Sequence, residues 1–247
     1  MSRTSQALSC GLVIVLLSTL LIGCGPAPQP TEVAKEPIII GAVFNSTGWM
    51  AAYDQPPRSG ALLAVKEINK AGGVLGRPLK IIELDGKSDP ATVGNVALQL
   101  IAQKASFILA PSDFDVGGPA SQAAQEAGLI GLSPGATSPL YGSKTLGDLQ
   151  FTLGMWNNTM SAAAAEFAYK KMGWRKAYVV TDTSIDYSLS LGRYFSQHFA
   201  TLGGTVIGED TYMQGDQDFS AQLQRIQSLA QKPDVIFISS YLPDLGT

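Results

Sequence analysis

The chain has 247 residues, 45% of them apolar and 15% charged, an ordinary globular mixture that argues against extensive disorder. Seventeen basic and 20 acidic residues give a net charge of −3 with no basic block, which excludes a nucleic-acid binder. Two cysteines, Cys10 and Cys24, and one histidine, His198, supply neither a disulfide framework nor a structural zinc site, so a histidine-based triad would rest on His198 alone.

The chain opens with Arg3 and an apolar run over residues 12–22, too short to span a bilayer and flanked like a secretory leader. The run ends in Leu21-Ile22-Gly23-Cys24, which resembles the bacterial lipobox. On that reading residues 1–23 are a lipoprotein signal peptide and Cys24 is the lipidated first residue of the mature chain. Buried acyl chains contribute roughly 0.8 kcal/mol per methylene, so several on one residue anchor stably. Residues 24–37, opening Gly25-Pro26-Ala27-Pro28-Gln29-Pro30, read as a stiff tether, because proline fixes φ and cannot continue a helix.

From Ile38 onward, short β-rich runs alternate with amphipathic segments, the pattern of a mostly parallel sheet with helical crossovers. Residues 38–44 lack a polar face and read as a doubly buried strand. A helix is expected over 59–71, with Ala61, Leu62, Val65 and Ile68 on one side, stopped by Gly72-Gly73. A strand follows at 79–84, then a helix that Asp89 caps and Pro90 opens. Strands at 107–110 and 129–132 enclose a helix at 119–127, and 151–153 forms a further strand. A second series starts after Asn157-Asn158, with helices at 160–172, 187–202 and 219–230 and strands at 176–181, 205–208 and 235–238. The expected units are one lobe over 38–155 and a second, partial lobe over 156–247.

No phosphate loop, nucleophile elbow or zinc-protease motif is present. His198 lies inside a helix and reads as a surface or packing residue. The Asp85–Asp89 segment lacks the spaced glutamate of a calcium loop and reads as a turn. Asp113 and Asp115 have no partner acid in a context suited to glycoside chemistry. The remaining candidates are the loops after the strands' carboxyl ends, where open α/β sheets bind ligands. They carry Asn45-Ser46-Thr47-Gly48-Trp49 with Tyr53, Ser112-Asp113-Phe114-Asp115, Ser133-Pro134-Gly135-Ala136-Thr137, and Asp182–Tyr187. Hydroxyls and helix-start amides suit a carboxylate, and aromatic rings suit an aliphatic portion.

These residues resemble the branched-chain amino-acid (Leu/Ile/Val) substrate-binding proteins of ABC transporters, the type I periplasmic binding protein family. The likeness runs from about Ile38 to Gly246. It rests on Gly48 with Tyr53, Ala64-Val65-Lys66-Glu67-Ile68-Asn69, Ala71-Gly72-Gly73-Val74, Asp89-Pro90, Gln125-Glu126-Ala127-Gly128, Ser133-Pro134-Gly135-Ala136-Thr137, Asp218-Phe219-Ser220 and Tyr241-Leu242-Pro243-Asp244, taken in order. The resemblance implies an α/β fold of two lobes, each a mostly parallel sheet with helices on both faces, the second lobe incomplete. It implies that Tyr53 packs on an amino-acid-like ligand, that the backbone near Gly135 and Ala136 and the hydroxyl of Thr137 bind its head group, and that Tyr187 and Tyr241 close from the second lobe. Trp49 stands beside Tyr53 and is a further candidate.

Two departures qualify the resemblance. Phe114 stands where the family commonly has a ligand-binding serine, leaving that role to Ser112 or the backbone. Ser88 and Asp113 occupy the places of a disulfide found in some relatives. The resemblance implies no enzyme activity, no cofactor and no metal. It implies a monomeric, lipid-anchored, extracytoplasmic receptor that closes about residues 151–158 and delivers its solute to an ABC permease. Relatives continue further, so this length is expected to bind ligand poorly or not at all and to expose apolar edges. The alternative is a sensory domain of the same fold regulating a signalling partner.

Overall fold

The computed structural model describes residues 35–242 and Asp244. The signal-peptide and Cys24 readings, and most of the tether, fall outside the described residues.

Two parallel sheets organise these residues. The first contains β1 (Ile38–Phe44), β2 (Leu79–Asp85), β3 (Phe107–Leu109), β4 (Ile130–Ser133) and β5 (Gln150–Thr152), in the order β2-β1-β3-β4-β5. The second contains β6 (Lys176–Asp182), β7 (Thr205–Tyr212) and β8 (Val235–Ser239), in the order β7-β6-β8. Every pairing between these strands is parallel. In both sheets the first strand lies between the second and third, so each sheet reverses direction at its first strand and opens a crevice at the carboxyl ends there. The expected two-lobed α/β architecture is what the chain adopts.

The helices are α1 (Ala51–Lys70), α2 (Pro90–Ala102), α3 (Phe114–Glu126), the single turn α4 (Ser143–Leu146), α5 (Asn157–Glu166), α6 (Asp186–Thr201) and α7 (Ser220–Ser228). The last turn of α5 widens into a π-helical turn, Phe167–Lys171. Helix α2 starts as its sequence dictates: Asp89 accepts from Thr92 N at 2.7 Å and Pro90 takes the first position, where its missing donor costs nothing. Helix α1 begins at Ala51, eight residues before the expected start at residue 59, and runs through Pro56-Pro57. Its first turn is held from outside, by a buried Asp54 carboxylate bonded to Asn45 and Ser112, and this anchoring outweighs the lost helical bonds. Helix α3 also starts early, at Phe114, because Asp113 caps it.

The first core joins Val43 and Ile108 to α2 and α3 through Val93, Leu100, Val116 and Ala120, all buried. The second stacks Phe195 on Phe237 at 4.0 Å between centroids and packs Phe199 and Ala165 around them. On β8, Ile236 is 44% and Ile238 53% exposed, an apolar sheet face in solvent. Among the described residues no helix is long and apolar enough to cross a membrane, and no cluster of His, Cys, Asp and Glu could hold a metal ion. His198 lies on α6 with Nε2 3.6 Å from a Glu166 carboxylate oxygen.

Candidate functional site

A cavity of about 380 Å³ lies where the loops after β1, β3, β4, β6 and β8 converge. From the β1 side it receives Trp49, Met50 and Tyr53, and from the β3 loop Ser112 and Asp113. Gly135 and Thr137 follow β4, Met160 comes from α5, Ile185 and Tyr187 follow β6, and Ser240, Tyr241 and Leu242 follow β8.

Aromatic rings bridge the two sets of loops. Trp49 lies 5.1 Å from Tyr241 and 6.5 Å from Tyr53, centroid to centroid, the latter edge-on. The Leu242 main-chain N–H donates to the Tyr53 hydroxyl at 2.6 Å. Burial raises the Tyr53 and Tyr187 hydroxyls above the ordinary tyrosine range, and the nearby Tyr53 adds to the effect on Tyr187. A second bridge joins the starts of α3 and α6: Asp186 N–H donates to the Asp115 carboxylate at 2.8 Å, and Ser138 Oγ donates to the Asp186 carboxylate. Burial raises Asp115 above the usual carboxylate range, the Asp186 charge adds to the rise, and the Asp186 N–H opposes it.

The polar wall is positioned by buried groups behind it. Asp54 is fully buried; its Oδ2 accepts from Asn45 N at 2.8 Å and Asn45 Nδ2 at 2.9 Å, and its Oδ1 accepts from Ser112 N at 2.9 Å. One carboxylate therefore fixes the β1 and β3 loops together. Burial raises the Asp54 carboxyl, and those N–H donors pull it back. Asn45 Oδ1 accepts from Ser88 N at 2.7 Å, which adds the β2 loop. Ser133 Oγ donates to Pro111 O at 2.7 Å and accepts from Ala136 N at 2.9 Å and Gly135 N at 3.3 Å. Gly135 sits so close to the neighbouring loop that a Cβ there would lie 3.1 Å from Ser112 Cβ.

Asp113 is 8% exposed, and its Oδ1 accepts from Val116 N at 3.0 Å as the cap of α3. Burial pushes its carboxyl up to about 6; the Asp115 charge adds to the rise and the Val116 N–H opposes it. Tyr241 is 5% exposed with its hydroxyl unpartnered, and the buried Ser112 Oγ is also unpartnered. Burial, followed by the Asp182, Asp113 and Asp244 carboxylates, drives the Tyr241 hydroxyl well above the tyrosine range; Ser184 moderates the shift without meeting hydrogen-bond geometry.

The structure brings together Trp49, Tyr53, Ser112, Gly135, Thr137, Tyr187 and Tyr241 from the sequence candidates. It places two others elsewhere. Phe114 is the first residue of α3, and its ring packs against Ala136, Tyr141 and Leu146 beside a separate hollow. Ala136 is fully buried, with its N–H on Ser133 Oγ and its carbonyl accepting from Thr152 Oγ1 at 2.6 Å. The expected head-group amides at Gly135 and Ala136 thus already have an acceptor. Sequence reasoning missed Met50, Met160, Ser240 and Leu242 as lining residues, and it named Ile185 and Asp113 within candidate loops without giving either a ligand role of its own. The one available signal was the Asp113-to-Val116 spacing of a helix cap.

Residues 37–247 match the family model described as periplasmic binding protein. A Leu/Ile/Val-binding protein of Rhizobium johnstonii is 30% identical over 231 residues, 94% of this chain and 61% of the relative. Among solved structures, the branched-chain amino acid substrate-binding protein of Streptococcus pneumoniae in complex with isoleucine superposes with a TM-score of 0.74 at 28% identity. That superposition covers 82% of this chain and 57% of the other. A leucine-binding protein of Thermotoga maritima gives a TM-score of 0.74 at 29% identity, covering 84% and 57%. The chain therefore spans about three-fifths of the length of these proteins.

Proposed function

Because this chain belongs to the periplasmic binding protein family, we propose that it captures a branched-chain amino acid, or a related amino-acid or amide solute, between its two lobes and releases it unchanged. The observation that carries this reading is the cavity of about 380 Å³ lined by Trp49, Tyr53 and Ser112 from one sheet's loops and by Tyr187 and Tyr241 from the other's. Its volume falls in the range of small-molecule sites.

The rings cover an aliphatic portion, and the hydroxyls of Thr137 and Ser112 serve polar groups. Each hydrogen bond to a charged group contributes about 1.5–3 kcal/mol. Three or four of them beneath an aromatic cover meet the roughly 8 kcal/mol of a micromolar site. No bond is made or broken in this mechanism: closure about residues 151–158 excludes water and strengthens each polar contact.

In the cell the reading places the protein outside the cytoplasm, anchored through Cys24 and delivering solute to an ABC permease. The domain limits that go with it are a leader over 1–23, a tether over 24–37, and lobes over 38–155 and 156–247. A thermal-shift panel of amino acids, amides and aromatic acids tests the binding claim, since a solute that binds only the folded chain raises its melting temperature. A dose-dependent rise with an amino acid or amide is expected. A flat response across the whole panel, from this chain and from one extended to its relatives' length, refutes the reading.

A further inference from the structure

We propose that Asp113 is the specificity-determining charge of the cleft, holding an N–H donor group of the solute, ammonium or amide, together with the hydroxyls of Ser112 and Tyr241. This rests on the cleft being a solute site and names the chemistry that the site selects.

Three observations converge. The start of α3 at the cleft is the natural seat for an anionic ligand group, since helix N-termini present free N–H groups and a partial positive charge. Here that seat is taken by the protein's own Asp113 carboxylate, which accepts from Val116 N at 3.0 Å. The other amides suited to an anion, Gly135 N and Ala136 N, are turned onto Ser133 Oγ. At the start of α3 the wall therefore presents an acceptor to the solute in place of free anion-binding amides.

The second observation is the pair of unused hydroxyls. Tyr241 is 95% buried, lines the cleft, and has no hydrogen-bond partner at its Oη; Ser112 Oγ is buried and unpartnered in the same cavity. A buried polar atom without a partner costs about 1–3 kcal/mol, so such atoms are rare unless a ligand completes them. The third is charge. Asp113 is the only charged side chain lining the cavity among the described residues, and Asp182 and Asp244 add negative potential at Tyr241. Burial pushes the Asp113 carboxyl up to about 6, which still lies below neutral pH. An ammonium or amide donates to Asp113 and shares the two hydroxyls, whereas a nitrogen-free acid has no N–H to give it.

The test is a matched series on one carbon skeleton: leucine, 4-methylpentanamide and 4-methylpentanoate, titrated into the full chain by calorimetry and by saturation-transfer NMR, which reads millimolar affinities. Leucine and the amide are expected to bind at least tenfold more tightly than the acid. Asp113→Asn keeps a helix cap of equal quality, so the melting temperature checks the fold while the charge is removed. Leucine affinity is expected to fall at least tenfold in this variant. A loss confined to leucine identifies ammonium as the selected group, and a similar loss for the amide identifies the N–H donor itself. Tyr241→Phe, which removes only the unpartnered hydroxyl, is expected to weaken leucine binding several-fold while the melting temperature of the unliganded chain stays the same or rises.

Equal binding of acid and leucine, no binding by any of the three, or unchanged affinities in Asp113→Asn and Tyr241→Phe overturns the proposal. The solute-binding reading survives these results provided another member of the thermal-shift panel binds at either chain length; if none does, both fail.

Discussion

The Tyr53 hydroxyl accepts a hydrogen bond from the Leu242 main-chain N–H at 2.6 Å, so the helix after β1 is tied directly to the loop after β8. Tyr53→Phe removes this acceptor while keeping the ring that faces Trp49. Leu242 is exposed and its N–H can turn to water, so folding stability should change little. A neutral hydrogen bond is worth about 0.5–1.5 kcal/mol. Solute affinity is expected to fall roughly two- to tenfold, read by calorimetry beside a thermal melt.

Trp49 bridges Tyr53 and Tyr241 from one side of the cleft. Trp49→Ala removes both ring contacts and opens the cavity. Aromatic pairs contribute about 0.5–1.5 kcal/mol each beyond the area they bury. The expected result is a loss of affinity of tenfold or more, measured by titration, with Trp49→Phe recovering part of it.

Asp54 is the main structural liability of the site. Asp54→Ala leaves Asn45 N, Asn45 Nδ2 and Ser112 N without their acceptor in a fully buried position. At about 1–3 kcal/mol for each buried donor that stays unpaired, destabilisation on the order of 4 kcal/mol is expected in urea unfolding. Asp54→Asn keeps the volume and one acceptor oxygen and should cost less than the alanine variant.

Asp113 makes a pH-dependent contribution with a definite sign. Its carboxyl titrates near 3.8 in an unperturbed chain and at about 6 in the fold, so between these values the folded state holds the proton more strongly than the unfolded state. Its contribution to stability is fully present below pH 3.8 and is lost as pH rises through 6. The loss is on the order of 3 kcal/mol, from about 1.4 kcal/mol per pH unit. Asp113→Asn should therefore gain stability relative to the parent chain between pH 4 and pH 6.5, followed by denaturant melts across that range.

Length supplies a separate expectation. The chain spans 61% of its Rhizobium relative and leaves Ile236 and Ile238 exposed on β8. Extension to the relative's length is expected to raise solute affinity, and the same calorimetric titration on both lengths checks it. Equal affinities would contradict the expectation.

The strands were the most legible part of the chain, because runs such as Ile38-Ile39-Ile40 carry no polar face and fit only a doubly covered sheet. The starts of helices were harder to read. A helix is expected only from residue 59, yet α1 starts at Ala51 and runs through Pro56-Pro57 because Asp54 bonds to residues 9 and 58 positions away, a constraint that local propensity does not contain. In the site, Trp49, Tyr53 and Tyr187 were visible because they follow strand ends, and Tyr241 entered through the family resemblance. Phe114 also follows a strand end, but the Asp113 cap sets the phase of α3 and turns its ring toward Tyr141. Asp113 was underrated for a related reason: its importance comes from burial beside two unpaired hydroxyls, and burial is a property of the assembled loops.

Because both sheets run all their strands in one direction, the segments that meet a solute belong to separate connections and the strands themselves stay behind them. Natural variation can therefore exchange one connection at a time, retuning what is admitted while the framework and its folding are inherited unchanged. On the proposed reading, exchanging a residue such as Asp113 within a single connection is enough to change which solute the cleft admits.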